Sequence, residues 1–249
     1  MFMNANFLKI AFSILLIANA WILIACTKSS SYQMTSQSTD TTNTKMDTAT
    51  KTYLALGDSY TIGQSVPDKD RYPVQTVQML NDSGIKFHSP EIIATTGWTT
   101  ANLQDAINNY HFTTSSYNIV TLLIGVNNQY QGRSQSEYQD QFTALLQKAI
   151  SLAGNKTSHV IVLSIPDYSV TPFAKSSNTT LIASQIDSFN VINKQIAAAY
   201  NVHYINITDE SRKASSDLNL LATDGLHYSG MEYSIWAGLI FTQIRKILQ

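Results

Sequence analysis

The sequence predicts an α/β domain, a three-layer α/β/α sandwich in which helices cover both faces of a five-stranded parallel sheet. Short apolar segments rich in Val, Ile, Leu and Tyr alternate along the chain with longer segments of helical period, which is the pattern of successive βαβ units. Two of the short segments, 117–124 and 160–165, are apolar almost throughout, as is typical of strands that are covered on both faces.

The predicted strands and helices follow one another along most of the chain. The strands are predicted at 53–56, 91–94, 117–124, 160–165 and 202–207. The helices are predicted at 73–81, 100–110, 136–153, 180–200 and 231–248. Parallel strands joined by right-handed crossovers place ligands outside their carboxyl ends, so we expect a functional site in the loops that follow the strands.

Two of the helices carry additional signals. Ser134 and Glu137 have the spacing of a capping box before the third helix, and Gly154 is a stop signal at its end. In the fourth helix, apolar residues recur at spacings of three and four, which predicts a stripe that packs on the sheet. The stripe consists of Ile182, Ile186, Phe189, Ile192 and Ile196.

Composition excludes several classes of protein. The chain has 249 residues, 44% of them hydrophobic, which is enough for a sizeable core. Lys and Arg number 16 against 17 Asp and Glu, so the basic excess expected of a nucleic-acid-binding protein is absent from the sequence and no such partner is expected. A single cysteine excludes an intramolecular disulfide and a cysteine-rich metal cluster. We expect no metal and no cofactor.

The first part of the chain has a different composition. Residues 1–9 carry one lysine, and 10–25 form an apolar run broken by one serine and one asparagine. This arrangement predicts an export signal over 1–25, and a permanent membrane helix is the alternative. Residues 26–51 are rich in Ser, Thr, Gln and Asp without an apolar period, which predicts a flexible tether before a domain at 52–249.

The cysteine lies directly after the apolar run. The segment Leu23-Ile24-Ala25-Cys26 resembles the lipobox of bacterial lipoproteins, in which the cysteine is lipidated and becomes the mature N-terminus. The resemblance implies that Cys26 anchors the chain to a membrane of the bacterial cell envelope, because two or more acyl chains give a stable attachment. The alternative is that Cys26 is only a small apolar residue of the signal.

A candidate nucleophile follows the first predicted strand. Ser59 comes directly after the strand, between Gly57 and Gly63, and such a position can expose a hydroxyl at the open end of a sheet. The tripeptide Gly-Asp-Ser also forms ordinary turns.

A candidate acid and base lie near the other end of the chain. Asp224 and His227 are three residues apart, so the carboxylate can hold the imidazole if the segment turns helically. The alternative is a solvated loop with a capping aspartate. Metal binding is disfavoured because no further Cys or His lies nearby in the sequence.

Two other loops supply hydrogen-bond donors. Gly97 follows the second predicted strand, and Asn127 follows the third. A backbone N–H at a glycine and an asparagine amide can both stabilise the oxygen that becomes negative in acyl transfer. Each also has an ordinary role as a turn or loop residue.

These four segments fall at the carboxyl ends of predicted strands, so the fold gathers them on one rim. The arrangement resembles the SGNH (GDSL-type) hydrolase family of esterases and lipases, which has a flavodoxin-like sheet. The resemblance implies that Ser59 is the nucleophile, that Asp224 and His227 are the acid and base, and that the oxyanion hole consists of Ser59, Gly97 and Asn127. The third motif of the family usually reads Gly-x-Asn-Asp, and Asn128 stands here in place of the aspartate.

The implied activity is that of a serine ester hydrolase. Aromatic residues in three of the loops predict a rim that stacks on a sugar ring or lines an acyl slot, with simple cover of the sheet edge as the alternative. These residues are Trp98, Tyr130, Tyr168 and Phe173. The weakly charged composition favours an uncharged small-molecule or glycan ester, such as an acylated carbohydrate or a short-chain ester.

Other functions stay open at this point. A lipase, lysophospholipase or thioesterase has the same chemistry with a longer acyl pocket, and an acyltransferase uses an alcohol in place of water. A glycan-binding envelope lipoprotein without catalysis is a different class. Structural roles are expected for the remaining histidines, which are His88, His111, His159 and His203.

Overall fold

The computed structural model describes residues 49–249, which form the predicted α/β/α domain. Within these residues one parallel sheet has the strand order β2-β1-β3-β4-β5. The strands are β1 (Tyr53–Gly57), β2 (Glu91–Ala94), β3 (Ile119–Leu123), β4 (Val160–Leu163) and β5 (His203–Ile205). This is the order of a flavodoxin-like sheet, in which ligands bind at the switch point between β1 and β3.

Helices connect the strands and cover both faces of the sheet. They are α1 (Ser59–Ile62), α2 (Tyr72–Asp82), α3 (Thr100–Asn108), α4 (Val126–Tyr130), α5 (Gln135–Leu152), α6 (Thr179–Ala199), α7 (Thr208–Ser211) and α8 (Gly230–Leu248). The helices α2, α3, α5, α6 and α8 confirm the five predicted ones, with ends that differ by at most two residues. The short helices α1, α4 and α7 were not predicted, because one turn of helix is too short for a periodic pattern.

Three strands are shorter than the apolar segments that predicted them. Ile124, Ile165 and Ile207 lie beyond the carboxyl ends of β3, β4 and β5 and are nevertheless fully buried. An apolar segment reports burial, and burial continues past the last hydrogen bond between strands. The predicted strand ends were therefore too long at the edge where the functional loops begin.

The register brings three of those loops to one level. Gly57, the last residue of β1, pairs with Ala94 of β2 and with Leu123 of β3. The three strands therefore end side by side, and the loops that follow them begin at the same edge of the sheet. Gly57 has no room for a side chain, because a Cβ there would overlap the Leu123 carbonyl and the Thr61 side chain.

The predicted capping signals are confirmed in part. Ser134 Oγ accepts the N–H of Glu137 at 3.1 Å, and Gly154 follows the end of α5 with φ +67°. The Glu137 carboxylate, however, accepts a hydrogen bond from Gln141 at 3.2 Å rather than completing a capping box. Thr99 and Asn102 form a complete capping box at the start of α3, where none was predicted.

The apolar stripe of α6 packs as predicted. Ile182, Ile186 and Phe189 are buried, and Ile192 and Ile196 lie half-buried against the core. Near the C-terminus, α8 places the buried Trp236 in a group of aromatic rings that includes Tyr60 of α1. The ring centroids of Trp236 and Tyr60 are 6.3 Å apart. This group joins the C-terminal helix to the helix that begins with Ser59.

The last residue of the predicted tether is held by the domain. Lys51 was assigned to the tether, but it is buried, its N–H donates to the Lys86 carbonyl at 2.8 Å, and its carbonyl accepts the N–H of His88 at 2.9 Å. The predicted signal segment, Cys26 and the rest of the predicted tether up to residue 48 lie outside the described residues. Among residues 49–249, no helix has both the length and the apolar character needed to cross a bilayer.

Candidate active site

A cavity of about 160 Å³ collects residues from the loops that were predicted to carry the chemistry. Ser59, Gly97, Asn127 and His227 all line it. The other lining residues are Tyr60, Thr96, Val126, Tyr130, Tyr168, Phe173 and Leu226. None of these lining residues is a Lys, Arg, Asp or Glu.

Ser59 is the first residue of α1. Asp58 precedes it and caps the helix, accepting the N–H of Tyr60 on Oδ1 at 3.0 Å. The N–H groups of a first helical turn have no partner within the helix, so the N–H of Ser59 is available to an oxygen in the cavity. Ser59 therefore brings both a hydroxyl and a backbone donor to the same place.

The carboxyl of Asp58 is unusual because it lies buried beside this serine. Its Oδ2 has no hydrogen-bond partner among residues 49–249. Burial raises the pKa of Asp58 to about 7, although hydrogen bonds from the backbone of Tyr60 and Gly125 act in the opposite direction. Asp58 does not line the cavity, and its visible contacts are those of a helix cap.

Asp224 and His227 form a hydrogen-bonded pair. His227 Nδ1 lies 2.6 Å from Asp224 Oδ2, and Asp224 Oδ1 accepts the N–H groups of Leu226 and His227 at 2.9 Å each. The segment is a turn with Gly225 at φ +68°, not the helical turn considered from the sequence. With Nδ1–H donated to the carboxylate, Nε2 of His227 is left to accept a proton.

The charge of Asp224 is held by its neighbours. Partial burial raises the pKa of Asp224, but hydrogen bonds from Ser65, from His227 and from two backbone N–H groups outweigh that effect and hold the pKa well below its usual range. Ser65 Oγ donates to Asp224 Oδ2 at 2.6 Å. Ser65 was not predicted as a site residue, because no local sequence pattern relates it to a residue so far along the chain.

Ser59 and His227 face the same cavity without a direct hydrogen bond. The His227 ring lies edge-on to Tyr60, with the ring centroids 5.7 Å apart, and among residues 49–249 its hydrogen bonding goes to Asp224. Catalytic hydrogen bonds are often long in the absence of substrate and shorten when the substrate binds. Ser59 and His227 therefore share one cavity, and a direct hydrogen bond between them is not present in the described structure.

Asn127 is oriented by its neighbour in the adjacent loop. Its Nδ2 donates one hydrogen to the backbone carbonyl of Trp98 at 2.9 Å, which leaves the second amide hydrogen for the cavity. Gly125 begins this loop with φ +132°, and a Cβ there would overlap the side chains of Tyr138 and Ile165. Only glycine therefore fits at the start of α4.

Gly97 lies in a tight turn after β2. The N–H of Trp98 donates to the carbonyl of Thr95 at 3.3 Å, and Gly97 occupies the third position of the turn with φ +86°, as in a type II turn. Thr96 Oγ1 donates to Gln64 Oε1 at 2.6 Å, which ties this turn to the loop that follows α1. The turn thus presents the Gly97 backbone at the cavity.

Three of the four predicted aromatic residues form one side of the cavity. Tyr130 and Phe173 are 60% and 46% exposed, whereas Tyr168 is buried beneath them, and the ring centroids are 6.2 to 6.4 Å apart. The N–H of Phe173 donates to the carbonyl of Gly225 at 3.0 Å. This hydrogen bond joins the aromatic side of the cavity to the turn that carries Asp224 and His227.

The structure places the fourth, Trp98, elsewhere. Its side chain is half-buried against the hydrophobic core and does not line the cavity. The residue contributes through its backbone carbonyl, which orients Asn127. Proximity to Gly97 in the sequence suggested a ligand contact, but the turn at Gly97 directs the next side chain into the domain.

The remaining candidates lie away from the cavity. None of the four histidines that were assigned structural roles lines it, and His159 hydrogen-bonds through Nδ1 to the carbonyl of Asn118 at 2.7 Å. In the described part of the chain, no three His, Cys, Asp or Glu side chains are grouped so that they could hold a metal ion.

Solved structures with the same fold include several hydrolases. The lipase/acylhydrolase from Enterococcus faecalis has 16% identity and a TM-score of 0.61, over 79% of this chain and 96% of that one. TesA has 16% identity and a TM-score of 0.61, over 79% and 99% of the two chains. Axe2, an acetylxylan esterase from Geobacillus stearothermophilus, has 18% identity and a TM-score of 0.60, over 78% and 94%.

The sequence itself matches a family. A search of curated proteins found no significant match. The model of the GDSL-like lipase/acylhydrolase family matches residues 55–231, a span that begins within β1 and contains all the cavity loops and the Asp224–His227 turn. The chain therefore belongs to the GDSL-like lipase/acylhydrolase family.

Proposed function

We propose that this protein hydrolyses carboxylic esters with Ser59 as nucleophile, His227 as general base and Asp224 as its partner. The observation that carries the proposal is the convergence of four residues on one cavity, namely Ser59, Gly97, Asn127 and His227. Asp224 is hydrogen-bonded to Nδ1 of the His227 ring. Membership of a family of ester hydrolases supports the same reaction class.

Each group has one chemical role in this reaction. Nε2 of His227 accepts the proton of Ser59 as Oγ attacks the carbonyl carbon, and then gives the proton to the departing alcohol. Water repeats the sequence to release the acid. The N–H groups of Ser59 and Gly97 and the amide of Asn127 donate to the oxyanion, and Asp224 stabilises the imidazolium.

The cavity favours a short acyl group. Its volume of about 160 Å³ is well below the range of roughly 300 to 1,000 Å³ that is typical of sites for drug-sized ligands. A short-chain ester such as an acetate fits this volume, whereas a lipase, lysophospholipase or thioesterase with long acyl chains needs more room.

The alcohol side of the substrate lies toward the exposed aromatic rings. Tyr130 and Phe173 offer flat, partly apolar faces at the mouth of an uncharged cavity, and such faces stack on sugar rings. We therefore propose acylated carbohydrates as the substrate class. Among the proteins that share the fold, Axe2 is named an acetylxylan esterase.

The location proposed for this activity is the bacterial cell envelope. The lipobox-like segment that ends at Cys26 supports a lipid anchor on that residue. Metabolic labelling with a clickable fatty acid is expected to mark the wild-type chain and not the Cys26→Ser variant. Equal labelling of the two chains would contradict the anchor.

Active-site labelling tests the reaction class. The full chain is treated with a fluorescent fluorophosphonate, which we expect to label the wild type and the Ser184→Ala variant but not Ser59→Ala. Ser184 is an exposed serine on α6 and serves as the matched control. An unlabelled wild type would favour the glycan-binding lipoprotein without catalysis, and acyl transfer to added acceptor sugars would reveal an acyltransferase.

A substrate series tests the substrate class. We expect p-nitrophenyl acetate to be hydrolysed faster than the octanoate. Phe173→Ala is expected to raise KM for acetylated xylo-oligosaccharides about tenfold, roughly the value of one aromatic contact, and to leave KM for ethyl acetate, whose alcohol has no ring to stack, unchanged. Val191→Ala, which removes another exposed apolar side chain, is the control. Faster hydrolysis of the octanoate would favour the lipase or thioesterase.

A further inference from the structure

Ser65 has a backbone conformation that serine rarely adopts. It lies in the loop after α1 with φ +68°, in the left-handed region that residues other than Gly, Asn and Asp generally avoid. Such a conformation persists only where the surrounding structure imposes it, and it is found disproportionately at functional sites.

The contact that accompanies this conformation is with the acid of the proposed triad. Ser65 Oγ donates to Asp224 Oδ2 at 2.6 Å, and the same oxygen accepts Nδ1–H of His227 at 2.6 Å. Asp224 Oδ1 accepts two backbone N–H groups. A carboxylate has about four lone-pair sites, so the Ser65 hydroxyl completes the set that orients Asp224.

Ser65 also lies close to the nucleophile along the chain, in the loop after the helix that Ser59 begins. It lies shortly after Ser59 in the sequence, and the N–H of the intervening Gln64 donates to the carbonyl of Ser59 at 3.0 Å. The hydrogen bond from Ser65 to Asp224 therefore joins the segment that carries Ser59 directly to the turn that carries Asp224 and His227. A shift of about 1 Å between reacting groups is enough to lower a rate a hundredfold, so a link of this kind bears on turnover.

We propose that Ser65 is a positioning residue. Its hydroxyl holds the Asp224–His227 pair in a fixed position relative to Ser59. The proposal rests on the function proposed above for these three residues. Ser65 does not line the cavity, and it acts through Asp224.

Three substitutions separate the hydroxyl from the backbone conformation. Ser65→Gly removes the hydroxyl and suits a positive φ, whereas Ser65→Ala removes the hydroxyl and keeps an unfavourable φ. Ser65→Asn suits a positive φ and retains a hydrogen-bond donor. If Ser65 matters only for the shape of the loop, the glycine variant keeps full activity.

Kinetics on the full chain give the first measurement. We expect kcat for p-nitrophenyl acetate to fall about tenfold to a hundredfold in both the glycine and the alanine variants, with KM unchanged, because hydrogen bonds to charged groups carry energies of that order. We expect the asparagine variant to recover part of kcat. Wild-type kcat in Ser65→Gly would overturn the proposal.

The NMR resonance of the His227 Nδ1–H gives a measurement that does not depend on turnover. This proton lies in the hydrogen bond to Asp224 Oδ2, the oxygen that also accepts the Ser65 hydroxyl. Without Ser65 that oxygen has one donor fewer and accepts the Nδ1–H more strongly, so we expect the resonance to move downfield in Ser65→Gly and in Ser65→Ala. An unchanged resonance in both variants would also overturn the proposal.

The two measurements distinguish this proposal from the proposed function. If fluorophosphonate does not label Ser59 and the wild type does not hydrolyse esters, the proposed function fails. The Nδ1–H resonance then still decides whether Ser65 controls the Asp224–His227 hydrogen bond.

Discussion

Asn128 holds Thr100 through two hydrogen bonds. Its Oδ1 accepts the N–H of Thr100 at 3.0 Å, and its Nδ2 donates to Thr100 Oγ1 at 2.7 Å. The Thr100 hydroxyl donates in turn to Gln141 Oε1. These bonds tie the start of α3, which follows Gly97, to α4, which carries Asn127. The residue that departs from the family motif thus joins the two loops of the proposed oxyanion hole, and it does so without a charge.

Asn128→Asp restores the residue usual in the family and is expected to destabilise this chain. Asn128 is fully buried, and an aspartate there has no N–H for Thr100 Oγ1, so the Thr100 hydroxyl can donate to the buried carboxylate or to Gln141 Oε1 but not to both. We expect the free energy of unfolding in urea to fall by about 1 to 3 kcal/mol.

The control for this change is Asn178→Asp. Asn178 caps α6 by accepting the N–H of Leu181 at 3.0 Å, and aspartate is an equally good cap, so we expect no change in the free energy of unfolding. An Asn128→Asp protein as stable as the wild type would contradict the assignment of the Asn128 hydrogen bonds.

Asn127→Ala tests the oxyanion donor. We expect kcat for p-nitrophenyl acetate to fall about 10²- to 10³-fold, as is typical when one such donor is removed, while measurable activity persists through the backbone donors. Circular dichroism checks that the variant is folded, because Asn127 also donates to the Trp98 carbonyl. Full activity in the variant would refute the role of Asn127.

Gly97→Ala tests the turn that presents the second donor. The space at Gly97 is open, so the cost of a side chain comes from φ +86°, about 1 to 2 kcal/mol of stability. The same strain moves the N–H, and we expect kcat to fall between about tenfold and a hundredfold.

Gly84→Ala is a matched control for this variant. Gly84 has φ +91° and equally open surroundings, but it does not line the cavity. We expect the two variants to lose similar stability in urea and only Gly97→Ala to lose activity. Equal activity in the two variants would exclude a role for Gly97 in the reaction.

Glu232 is expected to make the stability of the domain depend on pH. Burial raises the pKa of Glu232 to about 7, although the hydrogen bond from Trp236 acts in the opposite direction. An unfolded glutamate has a pKa of about 4.3. Between these values the folded chain holds a proton that the unfolded chain has released, so its contribution to stability is full below about pH 4 and is lost as the pH rises through about 7.

Glu232→Gln removes this contribution. We expect the variant to gain about 1 to 3 kcal/mol relative to the wild type between pH 5 and pH 8, measured as the change in the difference of unfolding free energies. Asp58 keeps its own dependence in both chains. Asp140→Asn, at an exposed carboxyl on α5, is the control, and a Glu232→Gln curve parallel to that of the wild type would contradict the prediction.

Much of the site could be predicted from the sequence because its residues follow strands. Ser59, Gly97 and Asn127 each come soon after an apolar segment, and parallel strands end at one edge of a sheet. His227 follows β5 only after a long connection, and its place could be expected only through the resemblance to a family. Trp98 was placed in the site by its position in the sequence, but the direction of its side chain depends on the turn at Gly97.

Other features of the site have no local signal. Ser65 contacts Asp224 across a long stretch of chain, and the hydrogen bonds of Asn128 depend on where Thr100 lies in three dimensions. The short helices that begin at Ser59 and Val126 depend on packing, because a single turn of helix is not stable by itself.

The sequence by itself determined the alternation of strands and helices and the parallel sheet, because hydrophobic periodicity and helix signals act between residues that are close along the chain. It also determined which loops carry reactive side chains. Only the tertiary structure decided that Ser59 and His227 face one small cavity, that Ser65 completes the hydrogen bonds of Asp224, and that Trp98 packs inward. These relations are set by packing between distant segments, which a pattern in one stretch of sequence does not encode.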